Sequence, residues 1–269
     1  MANTKIHPSA VVDKEAVLAD DVVIGPNCVV EARAHIGVGT VLEAGAVVCS
    51  DTVLGQQNHL HAHCIVGGKP QILGHGPHDP VGRLAVGDRN VFREHVTVHR
   101  SMHTDKSTVV GNQNLLMVGS HIGHDCILED QIVISNACLL GGHCKVEAGV
   151  WISGMSGAHQ FVTLGKWSYL AGMTAVTHDV PPFLIVSGNY PMRVRGVNTR
   201  GVRRAGLDAE VEKQINLAYR TLYRKGGALL ENAQSLDAQE NLDENVRAIV
   251  ESVQCSSKHR FNRYLETFR

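Results

Sequence analysis

A mainly β fold, a prism of stacked parallel coils followed by a small α-helical domain, is predicted by three observations. An aliphatic residue returns at every sixth position over most of the first 181 residues, the chain is 43% hydrophobic but only 4% aromatic, and the spacing becomes helical beyond Leu207. Stepping by six from Ile6 lands on Val12, Leu18, Ile24, Val30, Ile36, Leu42, Val48, Leu54, Leu60 and Val66. The register breaks over 67–85, returns at Val86, Phe92 and Val98, and breaks again over 100–109. From Val110 it runs through Leu116, Ile122, Leu128, Ile134, Leu140, Val146, Ile152, Ala158, Leu164 and Leu170 to Val176. Six residues make one flat face and one corner, so three repeats make a coil of about 18 residues whose neighbours pair in parallel at roughly 4.8 Å per layer.

Each position in the repeat then has a reason. The aliphatic residue points into the prism. Glycine often follows it (Gly25, Gly37, Gly55, Gly87, Gly111, Gly123, Gly141, Gly165), as expected of a tight corner. The fifth position is small or β-branched and holds five of the seven cysteines, Cys28, Cys64, Cys126, Cys138 and Cys144, which are therefore expected to be packed free thiols. The repeats stop at Pro181-Pro182 and an irregular stretch is expected next. A helix should start at Asp208 as N-cap, with Val211, Ile215, Ala218, Leu222 and Tyr223 on one face, and end at Gly226-Gly227. Further helices are expected over about 228–234, 241–254 and 258–268. The predicted domains are 1–182, the prism with insertions near 67–85 and 100–109, and 183–269, a connector and helical domain.

Charge narrows the function. The 25 Lys and Arg balance 26 Asp and Glu, leaving a net charge of -1, which removes the global electrostatic case for binding nucleic acid or a membrane surface. No apolar run is long enough to span a bilayer, and Met1-Ala2-Asn3-Thr4-Lys5 lacks a signal-peptide core, so a cytoplasmic protein without stable membrane insertion is expected. Sixteen histidines exceed what such a core asks for. His99, His121, His124, His143, His159 and His178 recur at intervals close to one coil and should gather along one side of the prism. Neutral imidazole is well suited to taking a proton from a hydroxyl near pH 7.

The strings Gly87-Asp88-Arg89-Asn90, Val96-Thr97-Val98-His99-Arg100, Asn114-Leu115-Leu116-Met117, His121-Ile122-Gly123-His124-Asp125-Cys126, Gly154-Met155, His159-Gln160-Phe161, Asp179-Val180-Pro181-Pro182 and Ala218-Tyr219-Arg220 through Leu222-Tyr223-Arg224 carry a resemblance. Together with the hexapeptide frame they resemble the UDP-N-acetylglucosamine acyltransferases, left-handed parallel β-helix enzymes that begin lipid A synthesis. The resemblance implies transfer of a 3-hydroxyacyl chain from acyl carrier protein to the 3-hydroxyl of UDP-N-acetylglucosamine, by a homotrimer with active sites between subunits and no cofactor. It implies His124 as general base, Asp125 as its orienting carboxylate and the Gly142 N–H as oxyanion donor. His121, His143, His159 and Gln160 would surround the sugar, Asn198, Arg203 and Arg204 would bind the uridine diphosphate, and Gly172 would set acyl length. The basic group Arg193, Arg195, Arg200, Arg203, Arg204, Arg220, Arg224 and Lys225 suits an acidic carrier protein.

Departures from the family pattern lie at Arg200 and Ala205, and at Ile72 and Gly74, where an acid and a lysine are usual. Lys69, His75, His78 and Asp79 are the candidates to replace them. Two rivals from other classes follow from the same prism. A metal hydratase needs a three-histidine set that this spacing does not supply, and no metal is expected; a silent binding module would follow if the Ile72 and Gly74 changes had cost activity. A third alternative keeps acyl transfer but directs it to another sugar nucleotide, including N-acylation of a 3-amino sugar.

Overall fold

A computed structural model of the chain describes residues 3–76, 78–239, 241–259 and 261–268. Most of the strands are two residues long, one side chain out and one in, because the chain turns a corner every six residues. Among the described residues they stack into three sheets of eleven, nine and eight strands, in each of which neighbours are about one coil apart in sequence. The first face runs from Lys5–Ile6 to Leu184–Ser187, the second from Val11–Val12 to Ala175–Val176, and the third from Val17–Leu18 to Thr163–Leu164. On the second face Thr97, His121, Leu139, Gly157 and Ala175 are successive outward partners.

The inward column is dry. Ile24, Leu42, Leu60, Phe92, Leu116, Ile134, Ile152 and Leu170 are no more than 1% exposed. The five fifth-position cysteines are buried and free, as their spacing implied. Burial pushes the Cys64 thiol up to about 12, which leaves it inert. Asparagines share the fifth position and build a ladder that composition did not reveal. Asn90 N–H donates to Asn58 Oδ1, Asn114 N–H to Asn90 Oδ1, and Ile132 N–H to Asn114 Oδ1, at 2.8 to 2.9 Å.

The corner chemistry differs from the sequence expectation. The left-handed backbone falls two residues beyond the glycine that follows the aliphatic position, on Asp21, Asn27, Arg33, Gln57, Arg89, Asp125, Gln131, His143 and others with φ between 54° and 61°. The repeated glycine is required by stacking: a Cβ at Gly37 would sit 2.4 Å from Gly55 O, and one at Gly123 2.8 Å from Gly142 N. Adjacent coils touch there through backbone alone.

Beyond the prism, the stretch expected to be irregular forms an antiparallel pair, Leu184–Ser187 with Arg193–Val197, which extends the first face. A short helix α1, Thr199–Arg204, follows, then α2 (Ala209–Tyr223), α3 (Leu229–Asp237) and α4 (Glu244–Ser257). Asp208 caps α2 by accepting from Glu210 N and Val211 N, and Ile215, Ala218 and Leu222 are buried beneath it. The helix expected over 258–268 is only a 3₁₀ turn at Tyr264–Phe268. That segment is tethered by side chains: Asp179 accepts from Thr163 N, Tyr264 N and Ser256 Oγ, and Arg263 donates to Thr177 O. Asp179, in the Asp-Val-Pro-Pro string, thus joins the helices to the last coil.

Candidate active site

The edge between the second and third faces carries a cleft lined by Gln71, His99, His121, Gly123, His124, Gly141, Gly142, His159 and Gln160. Parallel stacking puts residues from four coils side by side. His124 and Asp125 stand at one corner, Gly141 and Gly142 at the same corner one coil later, and His159 and Gln160 one coil later again.

The His124 ring is fixed from two sides. Its Nδ1 is 2.7 Å from Asp125 Oδ2. Asp125 is held in turn by Ser101 Oγ on Oδ1, by the Met102 N–H on Oδ2 at 3.1 Å, and by its own N–H donating to Thr108 Oγ1 at 2.8 Å. Burial alone would raise the Asp125 carboxyl, but hydrogen bonds from His124, Ser101 and Met102 outweigh it and hold the group down to about 2. An ionised carboxylate only accepts, so the Nδ1–H of His124 is the donor, and the tautomer this selects for a neutral ring carries its lone pair on Nε2. The second side is Gly142, where an added Cβ would lie 2.6 Å from both Nε2 and Cε1 of His124. Gly142 O accepts from Phe161 N and His143 N donates to His124 O, which sets the peptide orientation on that side.

Three neighbouring imidazoles, His121, His99 and His143, are held toward the neutral form. Burial, with the nearby His99 and His124, pushes His121 down to about 4, and its Nδ1 meets Thr97 Oγ1 at 2.9 Å. His99 is lowered chiefly by burial and contacts Lys69 O, which ties the first insertion to the cleft. His143 is also lowered chiefly by burial; it stacks on Phe161 at 4.5 Å and meets the His124 ring edge-on at 5.0 Å. Its groove lies on the third-face side of Asp125, with His103 and Lys106. His178 does not join the row, because it faces the helical segment beside Tyr223 and Leu229.

From His121 an open groove crosses the second face past Leu139, Gly157, Ala175 and Tyr190. Gly172 lies on the far corner of that face, exposed, where an added Cβ meets only Gly154 O at 3.6 Å.

The uridine-diphosphate set is elsewhere on the chain. Asn198 is 8% exposed and caps α1, accepting from Gly201 N and donating to Trp167 O. Arg204 lies over the rings of Trp151 and Trp167, and Arg203 pairs with Glu212 at 3.6 Å. Among the described residues, none of these three lines the His124 cleft. In the first insertion Gln71 reaches the cleft, while Gly74 is exposed at φ +83°. Ser101, Met102 and His103 were not singled out from the sequence. They sit in the second insertion, and counting the repeat across it, Thr97 to His121, places Ser101 beside Asp125.

The Asp125 linkage gives a stability expectation. Its folded value lies below the ordinary 3.8, so its contribution is complete above about pH 4 and is lost as pH falls through about 2. A shift of that size is worth about 2 kcal/mol. Urea unfolding at fixed protein concentration should show the wild type losing more stability than Asp125→Asn between pH 7 and pH 2.5; equal losses would contradict the network.

A three-sided parallel prism with a helical cap and a carboxylate-held histidine in a surface cleft defines the class of hexapeptide transferases. Residues 179–261 match the family described as Udp N-acetylglucosamine O-acyltransferase, Domain 2, and residues 3–38 match the bacterial transferase hexapeptide repeat. An acyl-[acyl-carrier-protein]--UDP-N-acetylglucosamine O-acyltransferase of Stenotrophomonas maltophilia is 40% identical over 252 residues, 93% of this chain and 95% of that protein. One from Paraburkholderia phymatum is 36% identical over 95% of this chain and 98% of its own length. The Francisella novicida UDP-N-acetylglucosamine acyltransferase structure superposes with a TM-score of 0.86 at 32% identity, covering 91% of this chain and 90% of that one. The fold is thus the left-handed parallel β-helix with a C-terminal helical region, and the chain belongs to the UDP-N-acetylglucosamine O-acyltransferase family.

Proposed function

We propose that this chain transfers an acyl group from acyl carrier protein to the 3-hydroxyl of UDP-N-acetylglucosamine, the first step of lipid A biosynthesis, with His124 as general base. The observation that carries the base assignment is the 2.7 Å bond from His124 Nδ1 to a carboxylate that is itself held by Ser101 and Met102. It leaves Nε2 free to take the sugar hydroxyl proton as the oxygen attacks the thioester carbonyl. A C–O bond forms, the negative charge on the carbonyl oxygen meets the Gly142 N–H, the C–S bond breaks, and His124 returns the proton to the departing thiolate. His121, His159 and Gln160 line the same cleft and would contact the sugar; His143, edge-on to His124, would close the side toward Asp125.

The apolar groove over Leu139, Gly157 and Ala175 suits the acyl chain. Gly172 leaves its far corner open, so Gly172→Met should shift preference to shorter chains by about tenfold in relative kcat/KM; an unchanged profile across an acyl carrier protein panel would remove Gly172 from that role. Arg193, Arg195, Arg200, Arg203, Arg204, Arg220, Arg224 and Lys225 are all exposed and give the carrier protein a basic surface. Because Asn198, Arg203 and Arg204 stand away from the His124 cleft of their own chain, the nucleotide wall would come from a neighbouring subunit of a homotrimer.

One assay panel tests the reading: acyl carrier proteins bearing several chain lengths, offered UDP-N-acetylglucosamine and its 3-amino analogue, with mass by light scattering. A trimer that acylates the 3-hydroxyl is expected. Transfer only to the amine would redirect the acceptor, and full activity in a monomer of about 29 kDa would refute the shared site. In a cytoplasmic protein the chemistry would meet soluble substrates; no helix among the described residues is long and apolar enough to cross a membrane.

A further inference from the structure

We propose that Glu43, His59 and His61 form a binding site for one divalent transition-metal ion of the zinc class, separate from the acyl-transfer cleft and bridging successive coils. His59 is an outward residue of the first face, and His61 lies two residues on, so an extended backbone sends both imidazoles to the same side. The rings stack at 4.1 Å with 21° between planes. Glu43 belongs to the previous coil, in which Leu42 is the register partner of Leu60. Its Oε1 stands 2.8 Å from His59 Nε2 and 3.2 Å from His61 Nδ1, and the three candidate ligand atoms lie within 4.8 Å of one another.

Small adjustments would turn this hydrogen-bonded triad into a coordination shell. Zinc bound at about 2.0 to 2.1 Å from nitrogen and oxygen needs its ligands somewhat over 3 Å apart, close to the spacing already present. Two imidazoles and one carboxylate favour zinc, cobalt or nickel over magnesium or calcium, which take oxygen. Glu94, in the following coil, has Oε1 4.0 Å from His61 Nδ1, but its charge is already paired by Arg93 through two bonds of 3.0 Å, so it adds no net negative charge to the triad. None of the four residues lines the His124 cleft.

A second group, His103, Asp125 and His143, also brings its ligand atoms within 4.8 Å. It is the weaker candidate, because the Asp125 oxygens already accept from His124, Ser101 and Met102, and an ion there would have to displace them. The Glu43 carboxylate, by contrast, is turned on the two imidazoles themselves. An ion held there would tie one coil to the next, and binding to the folded chain alone would raise its stability.

Chelator-stripped, full-length protein would be titrated with Zn(II) by calorimetry and with Co(II) by visible absorption, alongside His59→Asn/His61→Asn and His103→Asn variants. The His59 and His61 side chains are 40% and 18% exposed, so the double variant should fold with unchanged metal-free Tm and acyl-transfer rate. One ion per chain is expected in wild type and His103→Asn, with affinity at least about tenfold weaker in the double variant. Saturating Zn(II) should raise the wild-type Tm by on the order of 5 °C and leave the double variant unmoved. Equal binding by wild type and the double variant, loss of the ion in His103→Asn alone, or no binding by wild type would each overturn the assignment.

Discussion

Replacing His124 by alanine should lower kcat by about 10² to 10⁴ while leaving the fold and the oligomeric state unchanged. The imidazole stands at a corner, its side chain 15% exposed, and contributes nothing to the inward aliphatic column, so its removal leaves no core cavity. What it takes away, among the described residues lining the cleft, is the imidazole whose Nδ1 is bonded to a fixed carboxylate. Asp125→Asn tests that logic from the other side. The asparagine keeps the volume but offers a different hydrogen-bond pattern to Nδ1, so the imidazole loses the enforced tautomer and the charge that stabilises its protonated form, and a large loss of kcat is again expected. Near-normal turnover in purified His124→Ala would refute the base assignment, whereas loss of secondary structure in it would show the ring to be structural.

The prism was readable in the sequence because a period of six leaves the first position of the repeat aliphatic nearly throughout, Phe92 excepted, and Ile122, Leu140 and Ala158 mark the coils that carry the cleft. The same arithmetic brings His124, Gly142 and Gln160 to one corner, eighteen residues apart. What the period could not supply were contacts from segments that break it. Ser101 and Met102 hold Asp125 from the second insertion, and Lys69 and Gln71 reach His99 and the cleft from the first. The role of the repeated glycine was also misplaced, because one-dimensional reading sees a tight turn where the constraint is backbone contact between coils a turn apart. Near the end of the chain, helical spacing over 258–268 gave way to a 3₁₀ turn, since that segment is fixed by Arg263 and by the Asp179 carboxylate rather than by an amphipathic face. The Glu43, His59 and His61 triad lies inside the unbroken repeat, with Glu43 and His61 eighteen residues apart on successive coils, so the same arithmetic places it without the structure.

Gly142→Ala should be nearly as damaging as loss of the proposed base, with kcat down about 10²-fold or more and stability little changed. The backbone at Gly142 is not in the left-handed region, so alanine imposes no conformational strain on the chain. The cost is steric and local: the new Cβ would lie 2.6 Å from Nε2 and Cε1 and 3.1 Å from Cδ2 of His124. The ring must swing away, giving up its 2.7 Å bond to Asp125, or the 142 peptide must retreat and carry its N–H from the proposed oxyanion position. Gly172→Ala is the matched control, since its Cβ meets only an ordinary 3.6 Å contact, and it should retain full activity on at least the shorter acyl chains. The two ways in which Gly142→Ala can act separate in the double variant. If the methyl harms catalysis only by displacing the imidazole, adding it to His124→Ala costs nothing further; if it also moves the N–H donor, the residual rate of His124→Ala should fall again by about tenfold or more. Full activity in Gly142→Ala would show that neither the ring position nor the donor position matters to the reaction, and the cleft would lose its claim to be the site of transfer.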